Sequence, residues 1–193
     1  MAATRPNATR VVALRFEDGV LHAIDQTELP WNERELELRT AAEVAEAIVR
    51  LAIRGAPLIG VAAAYGVALE LANEGPEGLE RACELLRTAR PTAVNLSAAV
   101  ERVRQAVLRG TAALDEARAI EAEEEAASAA IARHGADVLA CARRILTHCN
   151  TGALAAPGRG TALAVIAELA DRGVLQSAIA TESRPLLQGA RLT

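Results

Sequence analysis

The residues best placed to do chemistry lie in Ile145-Leu-Thr-His-Cys-Asn-Thr-Gly-Ala-Leu154, where an apolar run ends in a cysteine and passes into a small polar loop. A thiol where a strand gives way to a loop sits at the carboxyl edge of an α/β sheet, the edge at which such sheets bind ligands. Two readings of Cys149 follow. It is either a small buried hydrophobe, the common state of a free cysteine, or a reactive thiol whose thiolate is favoured by the N-terminus of the helix beyond the loop. His148 does not convert it into a metal site, because adjacent strand residues point to opposite faces. Neither Cys83, in a helical apolar stripe, nor Cys141 reads as more than packing.

Further groups with a chemical use lie in other turns. Arg54, Gly55 and Ala56 precede Pro57 at the start of a helix, and a guanidinium beside a helix N-terminus can hold an anion. The plainer alternative is a glycine C-cap at Gly55 with a solvent-exposed arginine. Arg90 stands before Pro91 and is expected to be extended rather than helical. Gln188, in the segment after a second strand, can hydrogen-bond a sugar hydroxyl or a phosphate. Gly158-Arg159-Gly160 does not make a dinucleotide fingerprint: Leu163 occupies the third glycine position, and the connection is too long for the tight turn that motif requires.

These side chains need elements to position them. Residues 11–16 and 20–24 form a β-hairpin around Asp18-Gly19. Thr40-Ala-Ala-Glu43 is a capping box opening a helix, with Val44, Ile48 and Leu51 on one face and Gly55 as its C-terminal cap. A second helix runs from Pro57 to about residue 73, with Gly60, Ala64 and Ala68 as a ridge that admits another helix closely. Gly75-Pro76 interrupts the chain before a third helix (Leu79, Ala82, Cys83, Leu86) and a fourth (Leu96, Val100, Val103, Val107). A long helical segment over 112–134 carries Glu121-Ala-Glu-Glu-Glu125, read as a solvated face. Gly135 ends it, with His134 facing the helix dipole, and a short helix over 137–143 leads to the strand at Ile145. Helix 161–172 and a strand over 178–182 complete one β-α-β unit.

The fold class is therefore α/β: a helical N-terminal domain with a small β-hairpin over 1–142, then an incomplete parallel β-α-β domain over 143–193. Composition agrees. Half of the chain is hydrophobic, yet it has one Trp, one Tyr and one Phe, so Ala, Leu and Val build the core. The net charge of −4 shows no nucleic-acid footprint. No apolar run is expected to reach the roughly 20 residues of a membrane span, and residues 1–7 lack the apolar core of a secretory signal. Three cysteines without a CxxC pair suggest a reducing, cytoplasmic setting.

Taken together, Asp25-Gln-Thr-Glu-Leu-Pro30, Arg54-Gly-Ala-Pro-Leu-Ile-Gly-Val-Ala-Ala-Ala-Tyr-Gly66, Arg90-Pro-Thr-Ala-Val-Asn-Leu96, Thr147-His-Cys-Asn-Thr-Gly-Ala-Leu154, Gly160-Thr-Ala-Leu163 and Arg184-Pro-Leu-Leu-Gln-Gly-Ala-Arg-Leu-Thr193 resemble the methylthioribose-1-phosphate isomerase family. That family is related to regulatory subunits of the guanine-nucleotide exchange factor for translation initiation. The resemblance implies that the second domain is Rossmann-like and dimerises, giving a homodimer where that domain is complete. It implies conversion of S-methyl-5-thioribose 1-phosphate to its ketose in methionine salvage. It assigns Arg54, Gly55, Ala56, Arg90 and Gln188 to substrate binding and Cys149 to catalysis, with neither metal nor nicotinamide.

The resemblance also implies an aspartate acid and an Asn-Lys pair that have no counterpart within these residues, so the chain reads as truncated. Negligible isomerase activity is expected of the 193-residue chain alone. Ser183 stands where the family commonly has threonine, and Arg159 where it commonly has an aromatic residue. The alternatives are an isomerase of another phosphopentose (ribose 1,5-bisphosphate or 5-deoxyribose 1-phosphate) and a non-catalytic regulatory module.

Overall fold

A computed structural model describes residues 11–193. Three short strands open the chain: β1 (Leu14–Glu17), β2 (Val20–Ile24) and β3 (Glu35–Leu38), antiparallel in the order β1-β2-β3. Asp18 and Gly19 both take positive φ (49° and 77°), the turn that matches strand twist in a tight hairpin. The first strand starts later than the sequence suggests, and Val11 and Val12 remain exposed. β3 was not expected. Its Glu-Leu-Glu-Leu run is too short to stand out, but Leu36 and Leu38 alternate into the core while the glutamates face out.

Helices follow: α1 (Ala41–Val49), α2 (Ala56–Glu74), a 3₁₀ turn (Pro76–Gly78), α3 (Leu79–Ala89), α4 (Val94–Leu108) and α5 (Ala113–Val138). Thr40 and Glu43 form the expected reciprocal capping box. The helix closes earlier than expected, with Arg50 as cap and Leu51 at φ 66°. Gly55 is accordingly not its C-cap; it is the N-cap of α2. α2 is the central helix, packed against α1, α3, α4 and α5. A Cβ on Gly60 would lie 3.1 Å from the Asn95 carbonyl oxygen and 3.6 Å from Ala99 Cβ, so the small-residue ridge does seat α4. At 19 residues and mean hydropathy 1.4, α2 is long and apolar enough to cross a membrane, contrary to expectation. Its apolar window is 72% buried against the other helices, which is the environment of a core helix.

α5 also departs from expectation. It runs unbroken through Gly135 to Val138, and no separate helix forms over 137–143. Gly135 is explained by close packing: a Cβ there would lie 2.5 Å from Val165 Cγ2. His134 is consequently inside the helix rather than at its end. The acidic run is only partly a solvated face, since Glu121 accepts from the buried Tyr65 hydroxyl and Glu123 pairs with Arg102 at 2.8 Å.

The chain ends in β4 (Arg144–Thr147), α6 (Ala162–Asp171), β5 (Ser177–Ala180) and a five-residue helix α7 (Gln188–Leu192). β4 and β5 pair in parallel, as the β-α-β reading requires. One apolar cluster spans residues from Ala13 to Ile120. A smaller one joins Ala136 of α5 to Val165 and Leu169 of α6. Cys83 is buried in the first cluster, whereas Cys141 is exposed, contrary to the packing role expected of it.

Candidate active site

Cys149 lies two residues past the end of β4 and takes a left-handed backbone (φ 66°), a conformation that non-glycine residues adopt rarely. Side chains from a later segment hold it there. Its N–H donates to Ser183 Oγ at 2.8 Å, and its carbonyl accepts from Thr193 Oγ1 at 2.7 Å. His148 meets Thr181 Oγ1 through Nδ1 at 2.6 Å. The thiol is half-buried.

The loop after Cys149 folds onto the start of α2. The Ala155 carbonyl accepts from the Leu58 N–H at 3.2 Å, capping one of the donors a helix N-terminus leaves free. Gly55 makes this contact possible. Its φ is 104°, and a Cβ there would lie 2.3 Å from the Ala155 oxygen and 2.5 Å from its Cα, closer than atoms can approach. A glycine is thus required twice, by conformation and by space. The helix N-terminus is therefore partly satisfied by the protein itself, which shifts the burden of holding an anion toward Arg54.

Arg54 is half-buried beside this junction. With the Gln188 amide oriented as its hydrogen bonds demand, Gln188 accepts from Arg54 Nη2 at 2.9 Å and donates to the Ser183 carbonyl at 2.6 Å. Burial lowers the Arg54 pKa from its ordinary value. A thiolate at Cys149 acts in the opposite sense, and the Arg191 and Arg90 guanidiniums add to the lowering. Cys149, Arg90 and Arg191 thus each lie within electrostatic reach of Arg54. Arg90 itself is extended (φ −146°, ψ 85°) after α3. Of the residues singled out from sequence, Arg54 and Gln188 meet directly, while Cys149 and Arg90 lie within electrostatic reach of Arg54. Ala56 contributes only the exposed first turn of α2.

Sequence reasoning missed the support. Gln26 is buried and donates from Nε2 to the Leu154 carbonyl at 2.7 Å, bracing the Cys149 loop from the β2–β3 connection. Asp25, buried beside it, accepts from Arg50 at 2.7 Å and from the Thr27 hydroxyl at 2.6 Å. Their place in the Asp25–Pro30 motif was the available signal. Gly158-Arg159-Gly160 has a structural role: the Gly160 carbonyl accepts from Ser128 Oγ at 2.6 Å, and Arg159 pairs with Asp171 at 2.7 Å.

A half-buried thiol near a strand end, within electrostatic reach of the half-buried Arg54 guanidinium, is an arrangement on an α/β fold that suits an anionic ligand. The chain belongs to the Initiation factor 2 subunit family, which it matches over residues 52–193. It is 47% identical to the methylthioribose-1-phosphate isomerase of Syntrophotalea carbinolica, over 93% of this chain and 57% of that protein. It is 44% identical to the 5-deoxyribose 1-phosphate isomerase of Moorella thermoacetica, over 95% of this chain and 57% of the relative. The crystal structure of 5-methylthioribose 1-phosphate isomerase from Pyrococcus horikoshii superposes with a TM-score of 0.88 at 35% identity, covering 95% of this chain and 56% of that one. The chain thus spans just over half the length of the relatives it matches.

Proposed function

We propose that this chain carries the phosphate-and-thiol half of an aldose–ketose isomerase site whose substrate is S-methyl-5-thioribose 1-phosphate. The observation that carries this reading is the Arg54–Gln188 pair set beside Cys149, in a chain similar to relatives bearing that name. In such a substrate the phosphate on the anomeric carbon locks the ring, so the ring must open before hydrogen moves from C2 to C1. Arg54 supplies charge-assisted contacts to the phosphate, with Arg90 adding positive potential. The second N–H of the Gln188 amide can donate to a sugar hydroxyl. The Cys149 thiol acts at C1–C2 as base or as stabiliser of developing charge.

The same proposal includes a Rossmann-like setting for residues 143–193, a helical domain over 1–142, homodimeric assembly and a cytoplasmic location. The 5-deoxyribose 1-phosphate relative supports a second reading, in which the 5-substituent is hydrogen rather than a methylthio group. A purely regulatory module is disfavoured, because scaffolding gives no chemical reason to assemble Cys149 with Arg54 and Arg90.

Titration of the purified chain with both sugar 1-phosphates tests the proposal. Binding that Arg54→Ala abolishes, in a protein that stays folded, supports it; a folded wild-type chain indifferent to every sugar 1-phosphate sinks it. Any turnover observed must disappear in Cys149→Ser. The tighter-binding sugar decides between the two substrates.

A further inference from the structure

We propose that Arg191 is a positioning residue for this site: its guanidinium latches α7 to the β2–β3 loop, and the latch sets Gln188 against Arg54. The inference rests on the reading of Arg54 and Gln188 given above, and concerns how that pair is held.

Arg191 stands within electrostatic reach of Arg54, where an arginine would ordinarily be taken as a further anion ligand. Its donors are already committed. Nε donates to the Leu29 carbonyl at 3.0 Å, and Nη2 faces the carbonyls of Gln26, Thr27 and Leu29 at 3.1, 2.9 and 2.6 Å. Nη1 reaches the Leu186 carbonyl at 3.4 Å, and the guanidinium carbon lies 5.3 Å from the Trp31 ring centre. A planar fork of five donors suits such a cage of carbonyls, which a lysine's compact ammonium cannot fill in the same way. Among the described residues, no carboxylate pairs with this guanidinium. Arg191 thus directs its hydrogen bonds into the backbone of the loop.

The loop it grips is itself fixed on two sides. Gln26 N donates to the Ala52 carbonyl at 3.0 Å, just before Arg54, and the Gln26 side chain reaches Leu154 just after Cys149. α7, by contrast, has only five residues and no side-chain cap, too short to be stable alone. Its place must come from tertiary contacts, and Arg191 makes the largest set. Gln188 lies three residues earlier, on the neighbouring helical turn. Thr193, two residues later, caps the Cys149 carbonyl. One guanidinium thereby fixes the element that touches both Arg54 and Cys149.

The test uses Arg191→Lys, Gln188→Ala and the double variant of the full chain. Without ligand, Arg191→Lys is expected to raise amide exchange over 186–193 and over 26–29 by about tenfold, the scale of losing one charge-assisted hydrogen bond. Exchange within α2 and α4 should stay unchanged. With S-methyl-5-thioribose 1-phosphate, each single variant is expected to bind about tenfold more weakly, and the double variant no more weakly than the worse single. Multiplied losses in the double variant, or unchanged exchange in Arg191→Lys, overturn the proposal. A wild-type chain that binds no sugar phosphate would sink the substrate reading instead, and the exchange measurement would still decide the latch. Should Arg191→Lys fail to fold, Trp31→Ala removes only the exposed stacking partner. It is expected to raise exchange over the same residues by a smaller factor, and no change there overturns the latch.

Discussion

Arg54 Nη2 donates to the side-chain oxygen of Gln188 at 2.9 Å, while the Gln188 nitrogen donates to the Ser183 carbonyl at 2.6 Å. Gln188 is thus a neutral strut: it orients the guanidinium without cancelling its charge. Gln188→Glu has nearly the same shape but adds a carboxylate. A unit charge about 8 Å from a bound phosphate costs roughly 2 kcal/mol at an effective dielectric of about 20, or about thirtyfold in affinity. Calorimetric titration with a sugar 1-phosphate should show that loss, together with a thermal midpoint at or below wild type, because the new ion pair with Arg54 is offset by the lost hydrogen bond to the Ser183 carbonyl. Equal affinity in Gln188→Glu would mean that Arg54 does not meet the phosphate.

The three cysteines should react in a fixed order. Cys141 is exposed, Cys149 half-buried and Cys83 buried, and burial pushes the Cys83 thiol up to about 11. Only about one molecule in a thousand carries a Cys83 thiolate at pH 8, and the thiolate is the attacking form. Iodoacetamide followed by peptide mass spectrometry should modify Cys141 first, Cys149 next, and Cys83 only after denaturation. A saturating sugar phosphate should slow Cys149 alone. Protection of Cys141 instead would place the ligand elsewhere.

Much of this arrangement was legible in the chain because it is written in local chemistry. The Thr40–Glu43 box, the Asp18-Gly19 turn, the extended Arg90 and the apolar stripe of α3 each follow from a few adjacent residues. The gathering of Arg54, Gln188 and Cys149 came from the motif resemblance rather than from any spacing. What stayed hidden depends on contacts between distant segments. Gly55 looks like a helix cap until the Ala155 backbone is seen against it, and Gly135 looks like a stop until Val165 is. Arg191 spends its donors on backbone carbonyls, which leave no residue-type pattern to read. β3 and α7 are too short for periodicity to register.

Asp25 gives the site's support a pH signature. Burial raises its pKa, but the Thr27 hydroxyl, Arg50 and the Thr27 N–H together outweigh that and hold it below 3.8. A depressed folded-state pKa means that the carboxylate stabilises the fold above the unfolded value and loses that contribution as pH falls through the folded value. Asp25→Asn is therefore expected to cost about 1.5–3 kcal/mol near neutrality, the range for hydrogen bonds to a charged group. The two denaturation curves should begin to converge as pH falls below about 3.8 and meet once it passes the lower folded-state value, where the native wild type protonates as well. A difference that persists unchanged into acid would mean that shape, not charge, holds the loop. The same substitution should loosen Gln26 and speed Cys149 alkylation.

Gly135→Ala sets two effects of opposite sign against each other. Inside a helix, alanine is favoured over glycine by roughly 0.5–1 kcal/mol, because glycine loses more backbone freedom on folding. The new Cβ, however, would lie 2.5 Å from Val165 Cγ2 and 3.0 Å from Cγ1. Val165 cannot swing aside easily, since its branched side chain has one strongly preferred rotamer in a helix. Overpacking of this kind costs about 1–3 kcal/mol, so steric strain should exceed the helix gain and leave the variant less stable by about 1–2 kcal/mol. The damage should centre on the small cluster that joins α5 to α6, and so reach the β4 strand preceding Cys149. Val165→Ala in the Gly135→Ala background removes the clash and should cost less than in the wild type, or even stabilise. That coupling is measurable by urea denaturation of all four chains. A Gly135→Ala variant more stable than wild type would show that α5 and α6 can separate freely, and that the glycine serves some purpose other than their close approach.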